Sequence, residues 1–179
     1  MINKQQKFLE LFEPNKIKLW KFCLSISRCR DNAKDLLQDT IEVAFKQFEA
    51  VKSEQAFLSY LFTIASRINY KQINRAKMLA EIDDSILEAL IDGDALPDTK
   101  TDIRILYESL DKMKYEQREA IILSEIMGLQ HLEAAKIQGI SLETFRQRLY
   151  RAKNTLKEIM NPQIQGQFSI PNELKLRSI

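Results

Sequence analysis

Residues 129–157 read LQHLEAAKIQGISLETFRQRLYRAKNTLK, and this stretch decides how the second half of the chain folds. A first short helix, at about residues 132–137, carries two adjacent alanines that let another helix cross closely. Gly139 stands at the turn, where a positive φ is expected, and Ser141 is a good N-cap for the helix that follows. The pattern therefore predicts a helix-turn-helix.

The second helix of this pattern has an apolar side and a cationic side. Its inward face is predicted from helical spacing and comprises Phe145, Leu149, Ala152 and Leu156. Short polar groups and arginines near the start of such a helix can reach base edges, while cations further on suit phosphates. The candidate DNA-binding residues are Thr144, Arg146, Gln147, Arg148, Arg151 and Lys153. Thr144, Arg148 and Arg151 are expected on one face, with Arg146 and Lys153 beside it. A plain amphipathic helix with a solvated basic face is the alternative.

A second cationic surface is predicted on a long helix that begins after Ser53 and ends near residue 78. Its basic residues stand four positions apart, and residues 55–80 contain no Asp or Glu to pair with them. The surface comprises Arg67, Tyr70, Lys71, Asn74 and Arg75. Cations mixed with an aromatic ring and amides suit unpaired bases and their backbone. A solvated helix face accounts for the same pattern equally well.

An acidic cluster precedes that helix. Asp35, Gln38 and Asp39 share one side of a predicted helix at positions i, i+3 and i+4. Paired carboxylates can serve acid catalysis or bind a metal, but no His, Cys or second acidic cluster stands at a matching spacing. An exposed patch that meets a basic partner is the better interpretation.

Composition and charge distribution predict two helical domains. The 179 residues include only 4 Gly and 4 Pro, which favours long helices with few turns. Residues 1–79 hold fourteen basic against eight acidic residues, residues 80–102 one against eight, and residues 103–158 ten against eight. We therefore expect an all-α fold in which two small helical domains, residues 1–79 and 103–160, are joined by a flexible acidic linker at residues 80–102. Residues 161–179 form a tail without an assigned role.

The sequence gives little support for an enzymatic site, a metal site or a membrane-inserted segment. Cys23 and Cys29 are six positions apart and read as small buried apolar groups, and with the single His131 they cannot supply a zinc site. No phosphate loop or nucleophile–base pair is recognisable. We expect no catalytic residues, no metal, no cofactor and no enzymatic activity. The N-terminus lacks a signal-peptide core, so the expected location is cytoplasmic.

Four segments together resemble the extracytoplasmic-function sigma factors of bacterial RNA polymerase, over about residues 8–158. Residues 31–39, DNAKDLLQD, are similar to the family's D-A-E-D-L-x-Q-E, and residues 60–71, YLFTIASRINYK, to its W-L-x-x-I-A-x-N-x-x-x-D. Residues 128–135, GLQHLEAA, and 143–153, ETFRQRLYRAK, are similar to its G-L-S-Y-x-E-I-A and G-T-V-x-S-R-L-x-R-A-R. Tyr60 replaces the usual Trp, and Arg67 and Lys71 replace the usual Asn and Asp.

The resemblance implies a role for each segment. Residues 1–79 would be region 2, which binds core polymerase and the −10 element, and residues 103–160 would be region 4, which binds the −35 element. The implied contacts to the clamp helices of the largest polymerase subunit are Asp35, Leu36, Gln38 and Asp39. Phe57 and Tyr60 would join the cationic surface around Arg67 in binding −10 DNA, and the loop at residues 49–56 would hold an unstacked base.

The resemblance also implies partners. They are core RNA polymerase, contacted at the clamp helices and the flap, promoter DNA, and an anti-sigma factor. The alternative function is a helix-turn-helix regulator that binds operator DNA without core polymerase. That alternative explains the second half of the chain but not the acidic cluster or the region around Tyr60.

Overall fold

The computed structural model describes residues 3–27, 29–48, 56–75, 89–90 and 97–161, although not the side chains of residues 74, 75 and 97–99. The described residues contain helices and no β-strand. The chain divides into two compact units, Met1–Glu81 and Ile82–Ile179, here called the first unit and the second unit. This confirms the predicted all-α fold with two small helical domains. Most of the predicted linker and the tail after Asn161 lie outside the described residues, as do residues 49–55 of the predicted loop at residues 49–56.

In its described residues, the first unit comprises four α-helices and a 3₁₀ turn between the first two of them. They are α1 (Lys4–Phe12), the 3₁₀ turn Glu13–Asn15, α2 (Lys16–Ile26), α3 (Arg30–Lys46) and α4 (Phe57–Arg75). Pro14 ends α1, because a proline cannot donate the next backbone hydrogen bond. The N-cap of α3 is Cys29, whose Sγ accepts from the Asn32 backbone N at 3.3 Å. Asp31 and Asn32, whose residue types are common at N-caps, lie inside the helix instead.

Aromatic packing holds the first unit together. The Phe8 ring of α1 lies 5.3–5.7 Å, between ring centroids, from the rings of Phe12, Phe45, Phe48 and Phe57. Helices α2, α3 and α4 pack on one another, and Phe22 of α2 stacks on Phe62 of α4 at 4.2 Å. Burying an aromatic side chain removes a large apolar area from water, so this cluster fixes α4 against the other helices.

Residues 89–90 of the second unit are helical, and from residue 97 onward its described residues form four α-helices and one π-helical turn. They are α5 (Pro97–Asp111), α6 (Tyr115–Ile121), the π-helical turn Ile122–Ile126, α7 (His131–Gln138) and α8 (Leu142–Met160). Helix α5 begins at Pro97, so the linker predicted to reach residue 102 is shorter than expected. Proline is tolerated at the first helical position, where its missing N–H has no partner in any case. Periodic apolar residues alone could not reveal this polar first turn.

The core of the second unit lies where α6 and α8 pack together, with α5 and α7 against α8. Its buried apolar residues include Ile103, Leu106 and Leu110 from α5, Ala120, Ile121, Leu123 and Ile126 from α6 and the π-helical turn, and Phe145, Leu149, Ala152 and Leu156 from α8. The π-helical turn was not predicted. In it the backbone N of Met127 donates to the carbonyl oxygen of Ile122 at 2.8 Å, a five-residue spacing.

Candidate nucleic-acid interface

The turn between α7 and α8 has the predicted geometry. Gly139 has φ 67° and ψ 32°, and its backbone N donates to the Lys136 carbonyl oxygen at 3.1 Å. Ser141 then caps α8, because its Oγ accepts from the Thr144 backbone N at 3.1 Å. Only glycine adopts such a left-handed conformation without a steric penalty, so a local sequence signal fixes the crossing of the two helices.

Helix α8 presents its apolar face inward and its polar face outward. Phe145, Leu149, Ala152 and Leu156 are buried, as predicted. Of the predicted DNA-binding residues, four are exposed: Thr144, Arg146, Gln147 and Arg151. Arg146 and Arg151 make no ion pair or side-chain hydrogen bond within the part of the chain that the structure describes. Their full charge is therefore available to a polyanion.

The other two cations of α8 are held by neighbouring elements. Arg148 is half-buried, and its Nη1 donates to Oε1 of Gln138 in α7 at 2.8 Å. The Lys153 Nζ lies 2.8 Å from Oε1 of Glu125 in the π-helical turn. The two contacts lie on opposite flanks of α8, and Arg146 lines a cleft on the Glu125 side. The expectation that Arg146 and Lys153 lie beside the face of Thr144, Arg148 and Arg151 is wrong, because at 100° per residue they lie more than a quarter-turn away from it.

Tyr150 belongs to this surface, although the sequence interpretation did not single it out. It is 69% exposed, one turn after Arg146 and adjacent to Arg151. An exposed ring on the outward face of such a helix can contact the methyl group of thymine or a deoxyribose. The signal that could have revealed it is a large aromatic residue outside the apolar spacing of α8.

In the first unit, α4 carries the other predicted cationic surface. Arg67, Tyr70 and Lys71 are all exposed and share one face at positions i, i+3 and i+4. Arg67 and Lys71 form no ion pair among the described residues. Asn74 and Arg75 are the last two residues of α4, and the structure describes their backbone but not their side chains. Asn69 faces the other way and donates from Nδ2 to the Ile26 carbonyl oxygen at 3.2 Å, which ties α4 to the end of α2.

Phe57 and Tyr60 do not both lie on that surface. Phe57 is fully buried, with its ring centroid 6.1 Å from that of Phe48, so its predicted contact with −10 DNA is corrected to a supporting role beneath the surface. It stands at an inward-facing position of an amphipathic helix, which explains its burial. Tyr60 is half-buried, and burial raises the pKa of its phenol. Its hydroxyl oxygen has no hydrogen-bond partner among the described residues.

The acidic patch is the exposed side of α3 formed by Asp35, Gln38 and Asp39. Leu36, which was predicted to contact the polymerase, is fully buried and anchors α3 in the core. That prediction is corrected, because Leu36 belongs to the opposite, apolar stripe of the helix.

The neighbouring acids of α3 are paired on their own helix, unlike those of the acidic patch. Lys34 Nζ lies 3.0 Å from Asp31 Oδ1, and Lys46 bonds to Glu42, whose pKa it lowers by hydrogen bonding and by charge. Asp35 and Asp39 have no such partner in the described residues. The patch therefore offers unpaired negative charge to a basic partner.

Models of known families match both units of the chain. A model described as Sigma-70 region 2 matches residues 11–78, and one described as Sigma-70, region 4 matches residues 103–156. The chain belongs to the sigma-70 family, in its extracytoplasmic-function group. The resemblance drawn from the sequence is thereby confirmed. The region 2 match includes the acidic patch and all of α4, and the region 4 match includes α7 and α8 as far as residue 156.

Relatives with curated names are sigma factors. RNA polymerase sigma factor SigV of Bacillus subtilis (strain 168) is 28% identical over 138 residues, which cover 77% of this chain and 81% of that protein. The ECF RNA polymerase sigma factor EcfG of Rhodopseudomonas palustris (strain TIE-1) is 25% identical over 139 residues, covering 78% and 77%.

Solved structures share the fold. The sigma factor RpoE from Bartonella quintana, crystallised with the anti-sigma factor NepR, aligns with a TM-score of 0.72 at 24% identity, covering 89% of this chain and 99% of that one. CnrH in complex with the cytosolic domain of CnrY aligns with a TM-score of 0.67 at 21% identity, covering 89% and 91%.

The described part of this sigma-70 family chain contains no group of three or more His, Cys, Asp or Glu that could hold a metal ion. Cys23 is buried in α2, and burial raises the pKa of its thiol to about 12. Cys29 is only half-buried, which corrects the expectation that both cysteines are buried. None of the described helices is long and apolar enough to cross a membrane.

Proposed function

We propose that this chain is a sigma factor that binds core RNA polymerase and directs promoter-specific initiation, with the first unit at the −10 element and the second unit at the −35 element. One observation carries the proposal. Sigma-70 region 2 and region 4 matches occur in that order, and each contains a helix with exposed cations that no acid of the described chain neutralises.

In the second unit, α8 would lie in the major groove of the −35 duplex. Its outward side offers Arg146, Gln147, Tyr150 and Arg151, a mixture of phosphate-binding and base-reading groups. Thr144 is also exposed at the start of the helix and is placed to contact the DNA backbone, because α8 begins at residue 142. Lys153, already paired with Glu125, contributes least.

In the first unit, α4 would hold the non-template strand of the melted −10 element. Arg67 and Lys71 can bind phosphates, and the exposed ring of Tyr70 can stack on an extruded base. Such binding offsets the cost of unstacking, a few kcal/mol per base, without nucleotide hydrolysis. Melting would therefore be driven by binding energy, so the chain needs no catalytic residue or cofactor for it.

The acidic patch would dock on the clamp helices of the polymerase's largest subunit, and the second unit would meet the flap. We test the patch with the double variant Asp35→Ala/Asp39→Ala, using Asp31→Ala as the matched control on the same helix. Asp31 is exposed but already paired with Lys34. Affinity for core enzyme should fall in the double variant and remain near wild type in the control. Unchanged affinity in the double variant would remove the patch from the proposal.

Two further expectations belong to the same function. Each of the two solved structures was obtained with a bound regulatory partner, NepR or the cytosolic domain of CnrY, so an anti-sigma factor is an expected partner of this chain. A location in the cytoplasm, where core polymerase works, is expected for the same reason.

The decisive experiment mixes the full chain with core polymerase, tests for a stable complex by gel filtration and transcribes a genomic template library. A complex that produces discrete start sites supports the sigma-factor function and reveals the promoter. Operator binding by the free protein, with no complex and no promoter-specific transcripts, would favour the regulator instead. Arg151→Ala is then expected to reduce transcription from promoters that depend on the −35 element, while the affinity for core polymerase is retained.

A further inference from the structure

We infer that Gln138 is a positioning residue that holds Arg148 in place for DNA binding, an inference that rests on the proposed −35 role of α8. Gln138 is the last residue of α7, and its Oε1 accepts from Arg148 Nη1 at 2.8 Å. A guanidinium has five N–H donors. This contact uses one, and Arg148 makes no other side-chain hydrogen bond among the described residues. Four donors therefore remain for phosphate or base.

The orientation of the Gln138 side-chain amide is fixed by hydrogen bonds on the side away from Arg148. Its Nε2 donates to the Glu116 carbonyl oxygen at 3.0 Å and to Glu119 Oε2 at 2.9 Å, so both of its N–H groups are used. Rotating the amide by 180° would place its oxygen against a carboxylate and its NH₂ against a guanidinium. Both contacts would be repulsive, so Oε1 has to face Arg148.

Glu119 anchors this arrangement in the second unit. Its side chain is almost fully buried in α6, and its Oε1 accepts from the Tyr115 hydroxyl at 2.7 Å. A buried carboxylate that loses a hydrogen-bond donor pays a desolvation penalty, so the position of Glu119 is strongly restrained. Restraint on Glu119 passes through Gln138 to Arg148, and three helices thereby define where one cation of α8 sits.

A neutral acceptor suits this task better than an acid. Lys153, on the other flank of α8, is held by the carboxylate of Glu125, which cancels its charge. Gln138 orders Arg148 while leaving the guanidinium charge intact for the DNA. Ordering a long side chain before binding reduces the entropy lost on binding, which corresponds to about a threefold to tenfold gain in affinity for the correct site.

The test is a double-mutant cycle in the full chain bound to core polymerase. The variants are Gln138→Met, which keeps the side-chain length without the amide, Arg148→Ala, and the two combined. The probe is a promoter selected by the wild-type holoenzyme from genomic fragments, compared with the same promoter carrying a scrambled −35 element. Gln117→Met is the matched control, because Gln117 is a half-buried glutamine of α6 with no side-chain hydrogen bond in the described chain.

We expect Gln138→Met to lower the ratio of binding to the two promoters by about threefold to tenfold, and to have no further effect in the Arg148→Ala background. Gln138→Asn is the second variant, to be used if the methionine variant unfolds. Its side chain is one methylene too short to contact both Glu119 and Arg148, so it should show the same coupling with Arg148→Ala. The inference is overturned if Gln138→Met leaves the ratio unchanged, or lowers it equally with and without Arg148. If Arg151→Ala alone lowers the ratio and Arg148→Ala does not, the inference fails and the proposed function stands. If no substitution in α8 changes the ratio, the −35 role itself is refuted.

Discussion

Replacing Gly139 with alanine is expected to destabilise the second unit by about 1 kcal/mol. A Cβ at this position would meet no atom within 4 Å, so the cost comes from the backbone alone. Holding an L-residue at φ 67° costs roughly 1–2 kcal/mol, and alanine recovers about 0.4–1 kcal/mol by restricting the unfolded chain. Gly139→Asn should lower the free energy of unfolding by only a few tenths as much as this strain energy, because asparagine tolerates the left-handed region.

The chain offers an internal control for this measurement. Its single tryptophan, Trp20, lies in α2, so tryptophan fluorescence reports the first unit while far-UV circular dichroism reports both units. In thermal melts, Gly139→Ala should lower the second-unit midpoint by roughly 4–8 °C and leave the Trp20 transition unchanged. A loss above about 3 kcal/mol would mean that packing, rather than backbone strain, selects glycine here. Equal losses for alanine and asparagine would refute the left-handed explanation.

Four other substitutions or treatments test separate parts of the structure. Phe8→Ala removes the ring shared by the aromatic cluster and should cost about 3–5 kcal/mol in the Trp20 transition alone; a shift in the second-unit transition would contradict this. Ser141→Ala should lower the stability of the second unit by about 1 kcal/mol through the lost cap of α8, as measured by urea denaturation. A thiol reagent at pH 8 should modify Cys29 but not Cys23 in the folded chain, because burial keeps the Cys23 thiol protonated; two reactive thiols would argue against the α2 packing. Glu125→Gln should free Lys153 and steepen the salt dependence of DNA binding by about one unit, and an unchanged slope would show that Lys153 already contacts phosphate.

Features encoded within a few residues of each other could be predicted from the sequence. The helix-turn-helix depends on Gly139, Ser141 and a four-residue apolar spacing, and each of these acts over one or two turns of helix. The same holds for the exposed face of α4 around Arg67. Such signals need no knowledge of the tertiary structure, because a backbone conformation or an N-cap is satisfied locally.

Features that depend on distant partners could not be predicted in this way. The spacing of Arg148 and Lys153 shows two cations on one helix, but not that Gln138 holds one and Glu125 pairs with the other. The family motif predicts a polymerase contact at Leu36, yet this residue belongs to the core. A motif shows at which positions the residue type is restricted. A position can be restricted because its side chain is buried or because it binds a partner, and the motif does not distinguish the two.

The basic residues of α8 therefore do not act as a uniform positive surface. Arg146 and Arg151 have no partner among the described residues, Arg148 is oriented by a neutral amide, and Lys153 is paired with Glu125. Free cations raise affinity for any DNA, because they release counterions whatever the sequence. An oriented guanidinium contributes mainly where its remaining donors meet the right acceptors, so it discriminates between sites. In the proposed −35 role of α8, pairing Lys153 while ordering Arg148 would lower non-specific attraction to DNA and keep specific recognition, which is the balance required of a subunit that directs polymerase to promoters.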